Sequence, residues 1–403
     1  MALARVLGPV RATGLGAGSM LGAGVFVALG PAVGRTGTFV VWAVLLAALV
    51  AALNATASAR LAARHPQAGG TYVFARERLG PTWGHLAGWV FVVGKTASCA
   101  AMALAVGAHL GPDHATTMAV VAVVVLTLVD LAGARRSADA LTASAVLVVL
   151  VVGASTLLLL GQGPADAEVA YAIDDLAVPQ AAALLFFAFA GYARLATLGE
   201  EVRDPARTIP RAVAVSFAVV TVLYVGAGVA VARALSPDAA GRSDRALADA
   251  VDTLGHPALT AVVAATAVVA AGGALLSLLG GVSRVVLAMG RDRHLPAALA
   301  AESGRGVPWA AQVCVGLVVV LALPLVDTVD ALAASSGCIL VYYALTNAAA
   351  LPLGGRLFRP LAVLGLVGCL LLVASLPLSG VLWTVAVVVI GLVVGRVTGR
   401  SRG

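Results

Sequence analysis

The sequence predicts an all-α integral membrane protein with about twelve transmembrane helices. Of its 403 residues, 61% are hydrophobic and only 11% are charged, a composition too apolar for a water-soluble domain. Apolar runs of about 20 residues can cross the hydrocarbon core of a bilayer, and roughly twelve such runs follow one another along the chain. These observations predict a multi-pass protein embedded in the lipid bilayer.

The apolar runs are separated by short polar connections. The predicted helices cover residues 10–33, 38–62, 82–109, 116–133, 138–161, 179–200, 209–232, 257–289, 308–326, 329–351, 360–376 and 380–397. They group into three predicted parts, which are residues 10–161 (helices 1–5), 179–351 (helices 6–10) and 360–397 (helices 11–12). All four cysteines fall inside apolar runs, so the sequence predicts neither a disulfide nor a metal site.

The loops alternate in charge, and this alternation predicts the orientation of the helices. One set of loops is rich in arginine, whereas the opposite set collects most of the aspartates. Loops rich in Lys and Arg face the cytoplasm, so we expect both termini to be cytoplasmic and the protein to lie in the inner (cytoplasmic) membrane. The same bias accounts for the formal charge of +7. The arginines are scattered over short loops, so nucleic acid is not a predicted partner.

The first predicted helix contains many glycines between Gly14 and Gly24. Glycine costs about 1 kcal/mol relative to alanine inside a helix. One interpretation is a close-packing helix, for which Gly18 and Gly22 have the right spacing. The other is a break near Gly22 to Gly24, because non-helical backbone at membrane depth is tolerated where it lines a cavity. A broken helix would offer bare N–H and C=O groups to a small ligand.

A second apolar segment that contains a glycine, residues 184–193, lies five helices later. Under the predicted orientation, helix 1 runs outward and helix 6 runs inward. Interrupted helices at corresponding positions of two oppositely oriented halves are the best sequence indication of a transporter's binding site. The correspondence therefore favours the break in helix 1 over close packing alone.

Three stretches resemble signatures of the amino acid–polyamine–organocation permease family, which has the LeuT-type fold. Residues 18–26 are similar to the family's Gly-x-x-x-Gly-x-Gly-[Ile/Val]-Phe signature in helix 1, and residues 66–72 to its Pro-x-x-Gly-Gly-x-Tyr before helix 3. Residues 186–192 and 199–211 resemble the family's helix 6 and the loop after it, and residues 288–296 add weaker support. The resemblance implies a 5+5 inverted repeat with broken helices 1 and 6, and an α-amino acid or amine as ligand.

The backbone chemistry of such a break suits an amino acid. N–H groups around Ala23 and Gly24 would begin the second half of helix 1, where the positive end of a helix dipole favours a carboxylate. Carbonyl groups near Met20, Phe187 and Ala190 would accept hydrogen bonds from an ammonium group.

The predicted substrate-binding residues are Met20, Gly22, Ala23, Gly24, Phe187, Ala190, Gly191 and Lys95. The predicted gating residues, which could close over the ligand, are Phe187, Phe189 and Tyr192. The alternative for these aromatic residues is ordinary packing against lipid or the protein core.

Lys95 is the chain's one lysine, beside 25 arginines, and it lies in the middle of predicted helix 3. An ionisable residue inside a membrane span is a functional hypothesis by default, and lysine, unlike arginine, can release its proton when buried. We predict that Lys95 faces the central cavity and carries a coupled proton, replaces a bound cation or binds the ligand's carboxylate. The alternative is a structural pairing with carbonyl groups at a helix end.

The sequence departs from the family pattern at two positions. Ala193 stands where many members carry an acidic residue, and Val148 stands where some sodium-independent members carry a lysine in helix 5. With no carboxylate placed to meet a cationic side chain, and with Lys95 present, a neutral amino acid is the expected substrate.

The predicted function is that of a secondary active transporter for amino acids that works by alternating access. Proton coupling through Lys95 is one form of it, and no cofactor is expected. Motifs of common enzymes (His-Glu-x-x-His, Gly-x-Ser-x-Gly, a P-loop) do not occur in the sequence, so we do not expect an enzyme. An exchanger, an exporter, a cationic amino acid or polyamine transporter and a non-transporting sensor remain alternatives. The expected assembly is a monomer or homodimer.

Overall fold

The computed structural model describes residues 8–22, 24–64, 70–133, 138–162, 174–192, 204–303, 306–356 and 358–400. Within these residues the regular structure consists of α-helices and short 3₁₀ turns, with no strand. Ten of the described helical segments are long and apolar enough to cross a membrane, and Ala177–Tyr192 and Trp309–Leu325 are shorter apolar helices. These twelve segments correspond in order to the twelve predicted helices, which confirms the all-α membrane fold class.

The α-helices are numbered here in chain order. They are α1 Pro9–Leu21, α2 Gly24–Val27, α3 Leu29–Thr36, α4 Val40–Arg64, α5 Thr71–Leu79, α6 Pro81–Leu110, α7 Ala115–Leu131, α8 Ala138–Gly161, α9 Ala177–Phe189, α10 Pro205–Ala234, α11 Pro237–Arg242, α12 Ala246–Asp252, α13 Pro257–Arg291, α14 Trp309–Ala322, α15 Thr328–Ala350, α16 Phe358–Ser375 and α17 Leu378–Arg400. Most predicted ends agree with these bounds to within a few residues. The short helices α5, α11 and α12 were not predicted.

The chain divides into two compact units. The first consists of Met1–Ala52, Met102–Ala119 and Ser137–Ala274, and the second of Leu53–Ala101, Val120–Arg136 and Leu275–Gly403. The predicted division is of another kind, because it groups helices by their order in the sequence and their orientation. The two inverted repeats and the final helix pair therefore stay a prediction.

In the first unit, α1 packs against α8 through its glycines. A Cβ on Gly18 would lie 2.7 Å from the Leu141 carbonyl oxygen, and one on Gly14 would lie 2.5 Å from the Thr142 side chain. Gly14 and Gly18 therefore allow close packing of α1 on α8, as the first interpretation of this stretch predicted. The interruption predicted by the second interpretation concerns the glycines that follow, Gly22 and Gly24.

Helix α3, at the end of the first predicted helix, packs against the short helix α11. A Cβ on Gly30 would lie 2.7 Å from the Ser243 carbonyl oxygen and 2.8 Å from that of Ala240. Gly34 contacts Gly241 so closely that a Cβ would overlap its Cα. The connection between α10 and α13 thus forms two short helices, α11 and α12, the first of which lies directly on the backbone of α3.

In the second unit, α5 begins at Thr71, directly after Gly70. Gly70 has φ = +55°, a conformation that favours glycine, and turns the chain into the helix. The backbone N–H of Thr71 donates to the Tyr342 hydroxyl at 3.1 Å, and the Thr71 and Thr346 hydroxyl groups are 2.7 Å apart. These hydrogen bonds fix the start of α5 to α15.

Candidate functional site

The predicted interruption of helix 1 is present in the structure. Helix α1 ends at Leu21, Gly22 forms a turn, and α2 begins at Gly24. The Gly22 N–H still donates to the Gly18 carbonyl oxygen at 3.1 Å, and the Ala28 N–H donates to that of Gly24 at 3.0 Å. Ala23, one of the predicted substrate-binding residues, lies between these two helices and outside the described residues.

The predicted helix 6 also changes its geometry at the expected place. Helix α9 ends at Phe189, and Ala190–Tyr192 form a 3₁₀ turn. The Ala190 N–H donates to the carbonyl oxygens of both Phe186 and Phe187, as is common where an α-helix tightens. Residues 193–200, which include Ala193, lie outside the described residues.

The two interrupted helices touch through their backbones. A Cβ on Gly191 would overlap the Ser19 carbonyl oxygen and would lie 2.8 Å from the Met20 nitrogen. A Cβ on Gly24 would likewise overlap the Cβ of Ala188. The structure thus brings the predicted residues of helix 1 and helix 6 together, although about 170 positions separate them in the sequence.

Gly22 packs against a third element. A Cβ on Gly22 would lie 2.8 Å from the Cβ of Ala274 in the long helix α13. We define the candidate site as the peptides around the interruption together with the end of α9, with these described members: Met20, Gly22, Gly24, Phe187, Ala190 and Gly191.

Tyr224 of α10 is a site residue that sequence reasoning missed. Its side chain is fully buried, and its hydroxyl donates to the Met20 carbonyl oxygen at 2.8 Å. A carbonyl oxygen has two lone pairs, so the Met20 oxygen has already used one of the two positions from which it could accept from a ligand. A tyrosine in the middle of an apolar span needs a partner for its hydroxyl. Its position in the sequence could therefore have indicated that Tyr224 has a specific polar contact.

Two of the predicted gating aromatics pack against α10. The Phe189 ring stacks on Phe217 with centroids 6.0 Å apart and meets Tyr224 edge-on at 5.4 Å. The Tyr192 ring lies 5.6 Å from that of Phe217. These contacts anchor the 3₁₀ turn to α10. Phe187 is also buried, and the gating role of the three aromatic residues stays a prediction.

Lys95 lies in α6, within the second unit, and the residue is half-buried. Beside it, a Cβ on Gly94 would lie 2.7 Å from the Cβ of Cys338, and the hydroxyl groups of Ser98 and Ser335 are 2.6 Å apart, so this part of α6 packs tightly on α15. Among the described residues, no carboxylate forms an ion pair with Lys95. The interruption of helix 1 belongs to the first unit, and its predicted meeting with Lys95 stays a prediction.

A polar cluster in the second unit joins Tyr72 to Asp292 and His294. These residues belong to two of the stretches that resemble the family, residues 66–72 and 288–296. The Tyr72 hydroxyl lies 2.7 Å from Asp292 Oδ2, to which it donates, and 3.0 Å from His294 Nδ1. Burial raises the pKa of the Tyr72 hydroxyl, and the hydrogen bond and charge of Asp292 raise it further. The hydroxyl therefore remains protonated and able to donate throughout the neutral pH range.

Replacing Tyr72 with phenylalanine should test this cluster. Tyr72→Phe removes the donor to Asp292, and a hydrogen bond to a charged group contributes about 1.5 kcal/mol or more to the free energy of unfolding. We expect a lower melting temperature for purified Tyr72→Phe, and a smaller decrease for Asp292→Asn, which keeps an oxygen acceptor. A Tyr72→Phe melting curve that coincides with that of the wild type would contradict this assignment.

Comparisons with known proteins agree with this geometry. The amino acid permease family model matches residues 13–353. The chain is 50% identical over 397 residues to an uncharacterized transporter of Mycobacterium tuberculosis, covering 96% of this chain and 90% of that protein. It is 25% identical over 324 residues to a branched-chain amino acid permease of Bacillus subtilis, covering 74% and 69%. It is 26% identical over 325 residues to a cationic amino acid transporter of Arabidopsis thaliana, covering 73% and 53%.

Proposed function

The chain belongs to the amino acid permease family, and from this premise we propose that it moves a neutral amino acid across the cytoplasmic membrane as a secondary active transporter. The observation that carries the proposal is the contact between two interrupted membrane helices, where Gly191 lies against the backbone of Ser19 and Met20. Backbone groups are left without helical partners only at helix ends. Two such ends meet here, which supports a binding site for a ligand with both donors and acceptors.

The site would hold the ligand mainly by its backbone. The N–H groups at the start of α2, around Ala23 and Gly24, would bind the carboxylate, because the first N–H groups of a helix have no acceptor within it. The Met20 carbonyl oxygen would accept from the ammonium group on the side that Tyr224 leaves open, together with carbonyl groups near Phe187 and Ala190. Phe187 would contact the substrate side chain.

The preference for a neutral substrate rests on charge. The described members of the candidate site are all uncharged, and a buried cationic side chain without a partner is unfavourable. A cationic amino acid is the second candidate substrate, because one of the relatives is named as a cationic amino acid transporter. The two differ in the expected competitors, since leucine or threonine would inhibit uptake in the first case and arginine or lysine in the second.

Uptake by purified protein in proteoliposomes tests the proposal. We expect saturable uptake of at least one labelled neutral amino acid, and no uptake with the Gly191→Ala variant. Liposomes preloaded with unlabelled substrate separate an exchanger, which needs the internal substrate, from a net importer or exporter. Binding without uptake under any gradient would favour a sensor, and neither binding nor uptake of any amino acid would refute the proposal.

We further propose that Lys95 supplies a charge that is switched during transport. Lys95→Arg keeps a charge that cannot be released, whereas Lys95→Met removes it at similar length. We expect both variants to transport several-fold more slowly, and their pH profiles to differ from that of the wild type. Initial uptake rates over a range of external pH provide the measurement, and wild-type rates with an unchanged profile in both variants would exclude this role.

A further inference from the structure

His109 lies in the last turn of α6, within the first unit, next to the second half of the interrupted helix 1. Its side chain is buried, with 9% of its surface exposed. The imidazole meets the Phe26 ring of α2 edge-on, with ring centroids 6.1 Å apart and an angle of 84° between the planes. Phe26 follows Gly24 by two residues, so His109 contacts the four-residue helix that begins at the interruption.

One nitrogen of this imidazole is bound and the other is not. The Nδ1 atom lies 2.8 Å from the Ala105 carbonyl oxygen. A carbonyl oxygen can only accept, so Nδ1 carries a proton and donates. Within the described part of the chain, Nε2 is buried and has no hydrogen-bond partner. The neutral ring therefore presents a buried, unused proton acceptor.

The charged groups that act on His109 come mainly from the connection between α10 and α13. They are Asp244, Arg245 and Asp249. Arg245 Nε is 2.9 Å from Asp249 Oδ1, so these two charges largely offset each other, whereas Asp244 is exposed. In the 3₁₀ turn that follows α6, Asp113 and His114 are both exposed. The surroundings thus carry net negative charge, which attracts a proton, while burial opposes it.

We propose that His109 is a proton-binding residue that positions α2, the short helix that begins at Gly24. In its neutral form the imidazole packs against Phe26 and holds α2 in place. A proton that binds Nε2 creates a buried N–H without an acceptor, which is unfavourable. The charged ring therefore turns towards water or the aspartates and releases Phe26. No bond other than the N–H bond forms, and the proton comes from the aqueous side.

This inference rests on the proposed function in one respect, namely that a displaced α2 changes amino acid transport. Helix α2 carries the predicted carboxylate-binding N–H groups, so a shift of Phe26 moves them as well. External protons would then change the rate of transport as the pH falls from about 8 to 5. The change is expected towards the acidic end of this range, because burial opposes protonation of the imidazole. His109 differs in this from Lys95, which lies in the other unit.

Two measurements test the role of His109. The first is the dependence of proteoliposome uptake on external pH in wild type, His109→Gln and His109→Phe, with exposed His114→Gln as the matched control. We expect a several-fold change of rate across this range in wild type and His114→Gln, and a flat profile in both His109 variants. The two replacements differ in polarity, so a common flat profile reports the lost titration rather than a folding defect.

The second measurement does not depend on transport. Phe26 is labelled with fluorophenylalanine, and its ¹⁹F resonance is followed as the pH changes. We expect a single titration step in wild type and in Lys95→Met, and none in the His109 variants. A resonance that does not respond to pH, or a response that survives in His109→Gln, would overturn the inference. Absence of wild-type uptake with an intact ¹⁹F titration would refute the proposed function alone.

Discussion

Gly191→Ala is expected to abolish amino acid uptake. The added methyl group would overlap the Ser19 carbonyl oxygen and approach the Met20 nitrogen to 2.8 Å. Both neighbours are backbone atoms of α1, so no side-chain rotation can relieve the overlap. Overpacking a well-packed core costs about 1–3 kcal/mol and occasionally more, and contact with backbone places Gly191→Ala at the upper end. Helix α1 or the 3₁₀ turn has to move, and the predicted ligand-binding groups move with it.

Gly153→Ala is the matched control for this prediction. Gly153 lies inside α8, and an added Cβ would meet nothing within 4 Å. Alanine is favoured over glycine in a helix interior by about 1 kcal/mol, so Gly153→Ala should transport normally and be at least as stable as wild type. Uptake assays and melting curves on both proteins provide the comparison. Normal uptake by Gly191→Ala would show that the close contact of the two helices is not needed for transport.

The sequence was sufficient to locate the interruption in helix 1 because its cause is local. A dense run of glycines has an unfavourable helix propensity whatever surrounds it, and in the structure α1 ends at Leu21 and α2 begins at Gly24. The corresponding segment of predicted helix 6, residues 184–193, has a single glycine, Gly191, and there α9 gives way to a 3₁₀ turn at Ala190. The helix bounds were predictable for a related reason, since bilayer thickness limits the length of each apolar run.

The partners of the site were not predictable, because they depend on contacts between distant parts of the chain. Tyr224 and Met20 are about 200 positions apart, and neither carries a local signal that names the other. Phe189 and Tyr192 were predicted either to close over a ligand or to pack against lipid or the protein core. The structure places them against Phe217 of α10, since an aromatic residue on a buried helix packs with whichever neighbour the fold supplies.

The short helices escaped prediction for a different reason. Helix α5 follows a glycine with positive φ and contains several charged residues, so it lacks the apolar run that marks a membrane span. Helices α11 and α12 have six and seven residues. Isolated helices of that length are unstable in water, and α11 is formed against α3 through the glycine contacts described above. Tertiary packing, which the sequence pattern does not display, decides such elements.

Gly24→Ala is expected to reduce uptake strongly. Substitutions at the two residues that the new methyl group would meet, Ala188 and Tyr224, should partly reverse the reduction. The added methyl group would overlap the Cβ of Ala188 and the hydroxyl of Tyr224. Ala188→Gly removes the first overlap, and Tyr224→Phe removes the second together with the hydrogen bond to Met20. A Cβ at position 24 would still lie 2.8 Å from the Cα of residue 188. The triple variant should therefore recover only part of the packing, and it leaves the Met20 carbonyl oxygen without its partner, at a cost of about 1 kcal/mol.

The two second-site substitutions are also tested alone, without Gly24→Ala. Tyr224→Phe alone should lower the free energy of unfolding by about 1 kcal/mol, and Ala188→Gly should also destabilise α9, because glycine is unfavourable in a helix. Each second-site change is thus expected to be harmful by itself and helpful beside Gly24→Ala. Such a sign reversal is expected for neighbouring residues and not for distant, independent sites, whose effects add. Melting curves and uptake rates for the full set of variants give the coupling between positions. If Gly24→Ala and the two second-site changes act additively, α2 does not lie against α9 and α10 in the functional protein.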